Sequence, residues 1–192
     1  ASYKGTRKVA GHDVSVSIYD TSGDPNLGRN REAFYDGTDC FMLCVAVNNR
    51  ESLQAVQTFA AEIKKICPKA SILLIGTKMD LPAAVEQAEL TRAKNDYRFS
   101  GPAMTSSKNL QDGNVQKCFL QAMRLALFNK YPDLALDQQV YSPNARYNSE
   151  IQCPRRSMPC QPFVFDLSHR LKYLCFLHSI LPNTHHGVLG FW

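Results

Sequence analysis

Two strand-length runs that are almost wholly apolar, Cys40-Phe-Met-Leu-Cys-Val-Ala-Val47 and Ser71-Ile-Leu-Leu-Ile-Gly76, constrain this chain more than any other feature. A strand with no polar alternation cannot turn one face to water, so both of its faces must be covered. Between the two runs, Leu53, Val56, Phe59, Ala60, Ile63 and Ile66 recur at the three-and-four spacing of an amphipathic helix. Asn48-Asn49 can cap that helix, and Pro68 stops it. A strand, a crossover helix and a second strand make a parallel pair.

The remaining periodicities extend the same pattern. Val14 to Tyr19 alternates with period two and reads as a strand with one buried face. Lys4 to Val9 is a weaker strand signal, and Ala10-Gly11-His12-Asp13 supplies a hairpin turn between them. Ala83 to Asn95 has helical composition, with Pro82 as a first-turn residue. Phe99 to Thr105 is a short strand. Val115 to Lys130 is a helix with Cys118, Phe119, Ala122, Met123, Ala126 and Leu127 on one face. Alternating strands and helices predict an α/β fold: a mostly parallel sheet with helices on both faces. From Tyr131 onward six prolines, from Pro132 to Pro182, punctuate a stretch without sustained period. The expected organisation is a domain over residues 1–130 and an irregular tail over 131–192, with a short helix around Ser168 to Leu181.

Composition narrows the function classes. The net charge of +5 is scattered, with no basic run longer than Lys64-Lys65 or Arg155-Arg156, so no nucleic-acid partner is indicated. The seven cysteines are odd in number and form no CxxC pair, which reads as buried free thiols rather than a zinc knuckle or a disulfide framework. The apolar run from Leu174 to Leu181 is interrupted by His178 and too short to cross a bilayer. No secretory signal is visible, and the opening at Ala1 in a polar stretch reads as a missing N-terminus.

In an open parallel sheet, ligands bind at the carboxyl ends of the strands. Three such ends carry chemistry: Asp20-Thr-Ser-Gly23, Thr77-Lys-Met-Asp80 and Ser106-Ser-Lys108. Asp20 and Gly23 suit an ordinary turn, or a loop whose acid serves a metal and whose glycine N–H meets a phosphate. Asp80 suits a helix cap before Leu81-Pro82, or acceptance of two parallel hydrogen bonds from guanine N1–H and its exocyclic amine. Adenine cannot offer that pair. The aliphatic stem of Lys78 can lie across a base while its ammonium stays wet. Three loops at one sheet end, in this order, favour the ligand-binding readings.

On these loops, Ser2 to about Lys130 resembles the Ras superfamily of small GTPases, and its Rho branch in particular. Asp20 to Asp39, with Arg29, Arg31, Tyr35, Thr38 and Asp39, is similar to the Rho switch II region without a gap. Cys67 to Leu81 resembles the family's next strand and its guanine-reading loop, with Thr77 where Ras relatives usually carry Asn. Ser106-Ser107-Lys108 resembles the family's Ser-Ala-Lys loop. The resemblance implies that Asp20 holds Mg²⁺ through a water and that the Gly23 N–H meets the γ-phosphate of GTP. It implies that Thr77, Lys78 and Asp80 build the guanine site. Ser106 would brace Asp80, while the Ser107 or Lys108 N–H donates to the guanine carbonyl. The implied function is a GTP/GDP-dependent switch in signal transduction, with the effectors and regulators of small GTPases as protein partners. The implied location is cytoplasmic, peripheral to membrane or cytoskeleton. The alternative is a pseudo-GTPase interaction module that binds no nucleotide.

Four departures accompany the resemblance. These 192 residues contain no GxxxxGK[ST] phosphate loop. The family's first strand and helix, and with them a central strand of the sheet, are expected to be missing. Asp24 stands where the family has the glutamine that orients the attacking water, so hydrolysis is expected to be inactive in this chain. The Rho helical insert between Asp80 and Ser106 is absent. The last residues are Gly190-Phe-Trp192, not a Cys-a-a-X prenylation box.

Overall fold

The computed structural model describes residues 2–23, 28–109, 111, 113–136 and 169–177, of which 28–30, 135, 136 and 169–177 are described by their backbone alone. The elements are β1 (Ser2–Val9), β2 (His12–Ser22), α1 (Gly28–Tyr35), β3 (Cys40–Ala46), α2 (Arg50–Ile66) and β4 (Ser71–Thr77). They continue with α3 (Gln87–Tyr97), β5 (Ser100–Met104), α4 (Asn114–Lys130), α5 (Pro132–Leu136) and β6 (His169–Leu177). One six-stranded sheet runs β1-β2-β6-β3-β4-β5. Only the β1–β2 pair is antiparallel; β2–β6, β6–β3, β3–β4 and β4–β5 are parallel. The mostly parallel α/β architecture is the one the sequence predicts.

The hairpin turn is tighter than expected. Val9 already pairs with His12, leaving two turn residues, Ala10 at φ +51° and Gly11 at φ +85°. Two successive positive φ angles match the right-handed twist of the strands they join. Helix α2 starts where Asn49 accepts a hydrogen bond from the Glu51 N–H at 2.9 Å. The helix expected from Ala83 instead begins at Gln87, capped by reciprocal bonds between Glu86 and Glu89. The preceding residues are held elsewhere: the Ala84 and Val85 N–H groups both donate to the Val47 carbonyl, at 2.8 and 2.9 Å. Pro82 therefore lies in a loop.

Every residue of β3 is buried, and its alternation divides the core in two. Phe41, Leu43 and Val45 join Tyr35, Val56, Phe59, Ile63, Leu74 and Leu90 under α2 and α3. Cys40, Met42 and Cys44 join Val14, Val16, Leu73, Ile75, Cys118, Ala122 and Leu127 under α4. Each fully buried large side chain contributes about 1.5–3 kcal/mol of transfer free energy. Cys40, Cys44 and Cys118 are buried free thiols, and Cys67 is a half-buried one. Burial pushes the Cys118 thiol up to about 11. Among the described residues no helix is long and apolar enough to cross a membrane.

The C-terminal region departs from expectation. Residues 132–136 form α5, and the expected helix around Ser168 to Leu181 is the strand β6 over His169–Leu177. Strand β6 occupies a central position of the sheet, so the central strand expected to be missing is supplied from the other end of the chain. The physical reason is tertiary: as a strand, the segment pairs its backbone with β2 on one side and β3 on the other. Residues 137–168 and 178–192 of the expected tail lie outside the described residues.

Candidate functional site

Sheet order decides which loops meet. Strands β4 and β5 are neighbours, so the loop after Thr77 lies beside the loop after Met104. Strand β2, which ends after Asp20, is three strand positions from β4. At the usual interstrand spacing that is about 14 Å. The three loops therefore form two clusters at one sheet edge, not one.

The first cluster is closely bonded. The Thr105 N–H donates to the Gly76 carbonyl at 2.7 Å, and the Met79 N–H donates to the Thr105 carbonyl at 3.2 Å, lacing the loops together. Lys78 adopts a left-handed φ of +61°, and the Leu81 N–H closes the turn on its carbonyl at 3.0 Å. The Ser106 hydroxyl donates to Asp80 Oδ1 at 2.6 Å. The Lys108 N–H donates to Ser106 Oγ at 3.2 Å, and Lys108 Nζ lies 3.3 Å from Asp80 Oδ2. The Ser106 hydrogen bond, followed by Lys108, holds the Asp80 carboxyl below its ordinary value. Asp80 is therefore an oriented anion at neutral pH. It caps no helix, since the next one starts well beyond it, behind Glu86. Thr77 is buried, with its hydroxyl donating to the Val45 carbonyl at 3.3 Å, and so braces the loop from below. Ser107 is exposed.

The second cluster is built around burial. Asp20 is half-buried near the end of β2, and burial raises its carboxyl above the ordinary value. Beside it, Thr21 Oγ1 is buried with no hydrogen-bond partner among the described residues. Gly23 is the last described residue before Gly28; Asp24 lies outside the described residues. The segment from Arg31 to Asp39 is clamped. Arg31, 2% exposed, places Nη2 3.3 and 3.4 Å from the two Glu62 carboxylate oxygens, and Nη1 donates to the Ser22 carbonyl at 3.4 Å. Its guanidinium lies over the Phe59 ring at 4.9 Å. The Tyr35 hydroxyl donates to Glu62 Oε2 at 3.0 Å. Asp39 pairs with Lys130 at 3.1 Å.

Sequence reasoning misses Glu62 altogether, and it gives Phe59 a place in the core stripe but none in the clamp. The available signal is Glu62 itself, an acid outside the first turn, three residues after Phe59 and next to Ile63 of the buried stripe of α2.

A guanine nucleotide with Mg²⁺ finds an uneven fit here. The base end has an oriented carboxylate with its neighbours in place. A phosphate end would have Asp20, whose burial-raised carboxyl suits a cation, since Mg²⁺ needs only one or two carboxylates beside phosphates and water. It has no glycine-rich cradle with a lysine, because none exists in the sequence.

Residues 1–127 match the family described as "Ras family". The Rho-related GTP-binding protein RhoB of Homo sapiens is 30% identical over 138 residues, covering 65% of this chain and 70% of that protein. RhoB of Mus musculus gives the same figures. A GTP-binding RHO-like protein of Candida albicans (strain WO-1) is 31% identical over 101 residues, covering 52% of this chain and 29% of that protein. The chain thus spans under a third of the fungal protein and somewhat over two thirds of the mammalian ones. All three loops fall within the matched residues, and β6 falls outside them.

Proposed function

Because this chain belongs to the Ras family of small GTPases, we propose that it reads guanine through Asp80, as a Rho-like GTP/GDP-dependent switch whose phosphate end is only partly built into these 192 residues. The Ser106–Asp80–Lys108 arrangement carries this reading. A carboxylate offers about four lone-pair sites. Ser106, the Asp80 backbone N–H and Lys108 all favour the charged carboxylate, and its remaining acceptor capacity would take guanine N1–H and the exocyclic amine. The Lys108 N–H is already committed to Ser106, so the donor to the guanine carbonyl is Ser107. Lys78 covers the base with its stem.

At the other end, Asp20 would hold Mg²⁺ through a water, and the Gly23 N–H would meet the γ-phosphate. Mg²⁺, when bound, would supply neutralisation of phosphate charge. Asp24 supplies an anion where the family has a water-orienting glutamine, so we expect negligible hydrolysis. Its partners as a switch would be the effectors and regulators of small GTPases. The second reading, an interaction module without nucleotide, draws its support from Asp24, an acid where the family has a water-orienting glutamine.

Titration of the isotope-labelled chain with GDP and with ADP separates the two. We expect shifts confined to Lys78–Asp80 and Ser106–Lys108, GDP favoured over ADP, and loss of that preference in Asp80→Ala. A charge-assisted, bidentate pair is worth about 1.5–3 kcal/mol per bond, so the preference is tenfold or more. No shifts at these loops with millimolar GDP would leave the interaction module standing.

A further inference from the structure

The Lys108 ammonium sits where a guanine would have to bind. Recognition of guanine asks both Asp80 oxygens to accept from the base, yet Lys108 Nζ already lies 3.3 Å from Oδ2. An ammonium carries three donors and no acceptor. Beside the exocyclic amine of guanine it would set donor against donor. On the premise that Asp80 reads a purine base, we propose that Lys108 is a specificity-determining residue that widens the site from guanine to 2-oxopurines. Xanthine nucleotides are then ligands of this chain as well.

The order of groups in the loop sets which oxygen meets which atom of the base. Ser106 donates to Oδ1 at 2.6 Å, and its neighbour Ser107 supplies the donor for the 6-carbonyl. Oδ1 is therefore the oxygen nearer position 6, and it meets N1–H. Oδ2, with the Lys108 ammonium beside it, is left for the substituent at position 2. Guanine and xanthine share the 6-carbonyl and N1–H and differ at that position, where guanine has an amine and xanthine a carbonyl. A carbonyl facing a bare carboxylate oxygen is repelled, which by itself would select against xanthine. With an ammonium on that oxygen, the same carbonyl accepts a charge-assisted hydrogen bond.

Lys108 can serve either base because its two ends are held differently. Its backbone is fixed: the Lys108 N–H donates to Ser106 Oγ at 3.2 Å, and the Asn109 N–H donates to the Ser106 carbonyl at 3.3 Å. Its side chain is 73% exposed, against 18% for that of Asp80. An exposed ion pair is weakly held, so the ammonium can swing aside for an amine or stay for a carbonyl. Adenine gains nothing from this freedom. Its amine at position 6 faces the Ser107 donor, and its N1 lone pair faces Oδ1.

The test is a titration of the isotope-labelled full chain with GDP, xanthosine diphosphate and ADP, each in excess Mg²⁺. Mildly acidic pH keeps the xanthine ring neutral, while Asp80, held below its ordinary value, keeps its charge. We expect GDP and xanthosine diphosphate to shift the amides of Lys78–Asp80 and Ser106–Lys108 with affinities within about tenfold of each other. ADP should bind at least about tenfold more weakly than either. Lys108→Met keeps a stem and removes the ammonium. It should weaken xanthosine diphosphate at least about tenfold more than GDP, and Lys108→Arg, which keeps a cationic donor, should lose less of the ratio. Affinities more than tenfold apart in the parent chain overturn the proposal, and they leave the guanine reading intact where GDP is the tighter. A parent-like ratio in Lys108→Met overturns it too. No shifts at these loops with millimolar GDP would overturn the guanine reading itself, and the proposal with it.

Discussion

Asp80 and Asp20 are both acids at the carboxyl edge of one sheet, and their surroundings act on them in opposite senses. Ser106 and Lys108 lower the Asp80 carboxyl, whereas burial raises that of Asp20. Asp80 is bonded to Ser106 and paired with Lys108. Asp20 is half-buried near the end of β2. The contrast teaches where the binding energy must come from. Under the proposed reading, the Asp80 end is held in place by its own neighbours, while the Asp20 end gains from a cation that offsets the desolvation of its carboxylate.

The clamp behind Asp20 offers the largest lever on this contrast. Arg31→Ala removes the cation that faces Glu62 and the ring contact with Phe59, leaving Glu62 three-quarters buried without that partner. We expect a loss of about 2–4 kcal/mol in urea denaturation, below the full penalty for a buried pair because Glu62 retains some water. Amide shifts at Lys78–Asp80 should stay in place, because the two clusters lie three strand positions apart. Shifts there would mean that the halves are coupled.

Tyr35→Phe is a smaller perturbation of the same clamp, at about 1 kcal/mol near neutral pH for one lost hydrogen bond. Burial, followed by Glu62, pushes the Tyr35 phenol well above its ordinary value of 10.0. The unfolded chain therefore releases this proton at a lower pH than the folded one. The contribution is complete below about pH 10 and declines as pH rises beyond it. Alkaline unfolding curves should show that decline in the parent protein and a shallower one in Tyr35→Phe.

Smallest, and opposite in sign, is Asp20→Asn. Removing a charge that burial disfavours should stabilise the ligand-free chain by up to about 1 kcal/mol. The same change at Asp80 should not stabilise, since there the charge is held by partners. A thermal-melt comparison of the two asparagine variants checks the difference in sign.

What a sequence makes legible depends on where the information lies. Strands β3 and β4 and helix α2 are readable because each carries its own burial in its period: all-apolar strands, and a stripe from Leu53 to Ile66. Helix α3 starts four residues later than expected because Pro82 is a good helix starter in isolation, while Val47 captures the backbone of Ala84 and Val85. The true start is written in the sequence nonetheless, in the Glu86–Glu89 box. Strand β6 is not legible. His-Arg-Leu-Lys-Tyr-Leu-Cys-Phe-Leu has no strong strand signature alone, and its meaning lies in rows contributed by β2 and β3. The candidate site divides the same way. The pairing of Ser106 with Asp80 follows from the family resemblance of their loops, while Glu62 is hidden inside a helix stripe.

The central claim is that base recognition is built into these residues and phosphate recognition is not. Calorimetric titration with guanosine and with GDP, both in excess Mg²⁺, tests it most directly. The account predicts weak binding for both, in the range of about 0.1–1 mM, and affinities within tenfold, so that the phosphates add less than about 1.4 kcal/mol. Sub-micromolar GDP with guanosine a hundredfold or more weaker would contradict it, since the phosphates would then supply most of the affinity.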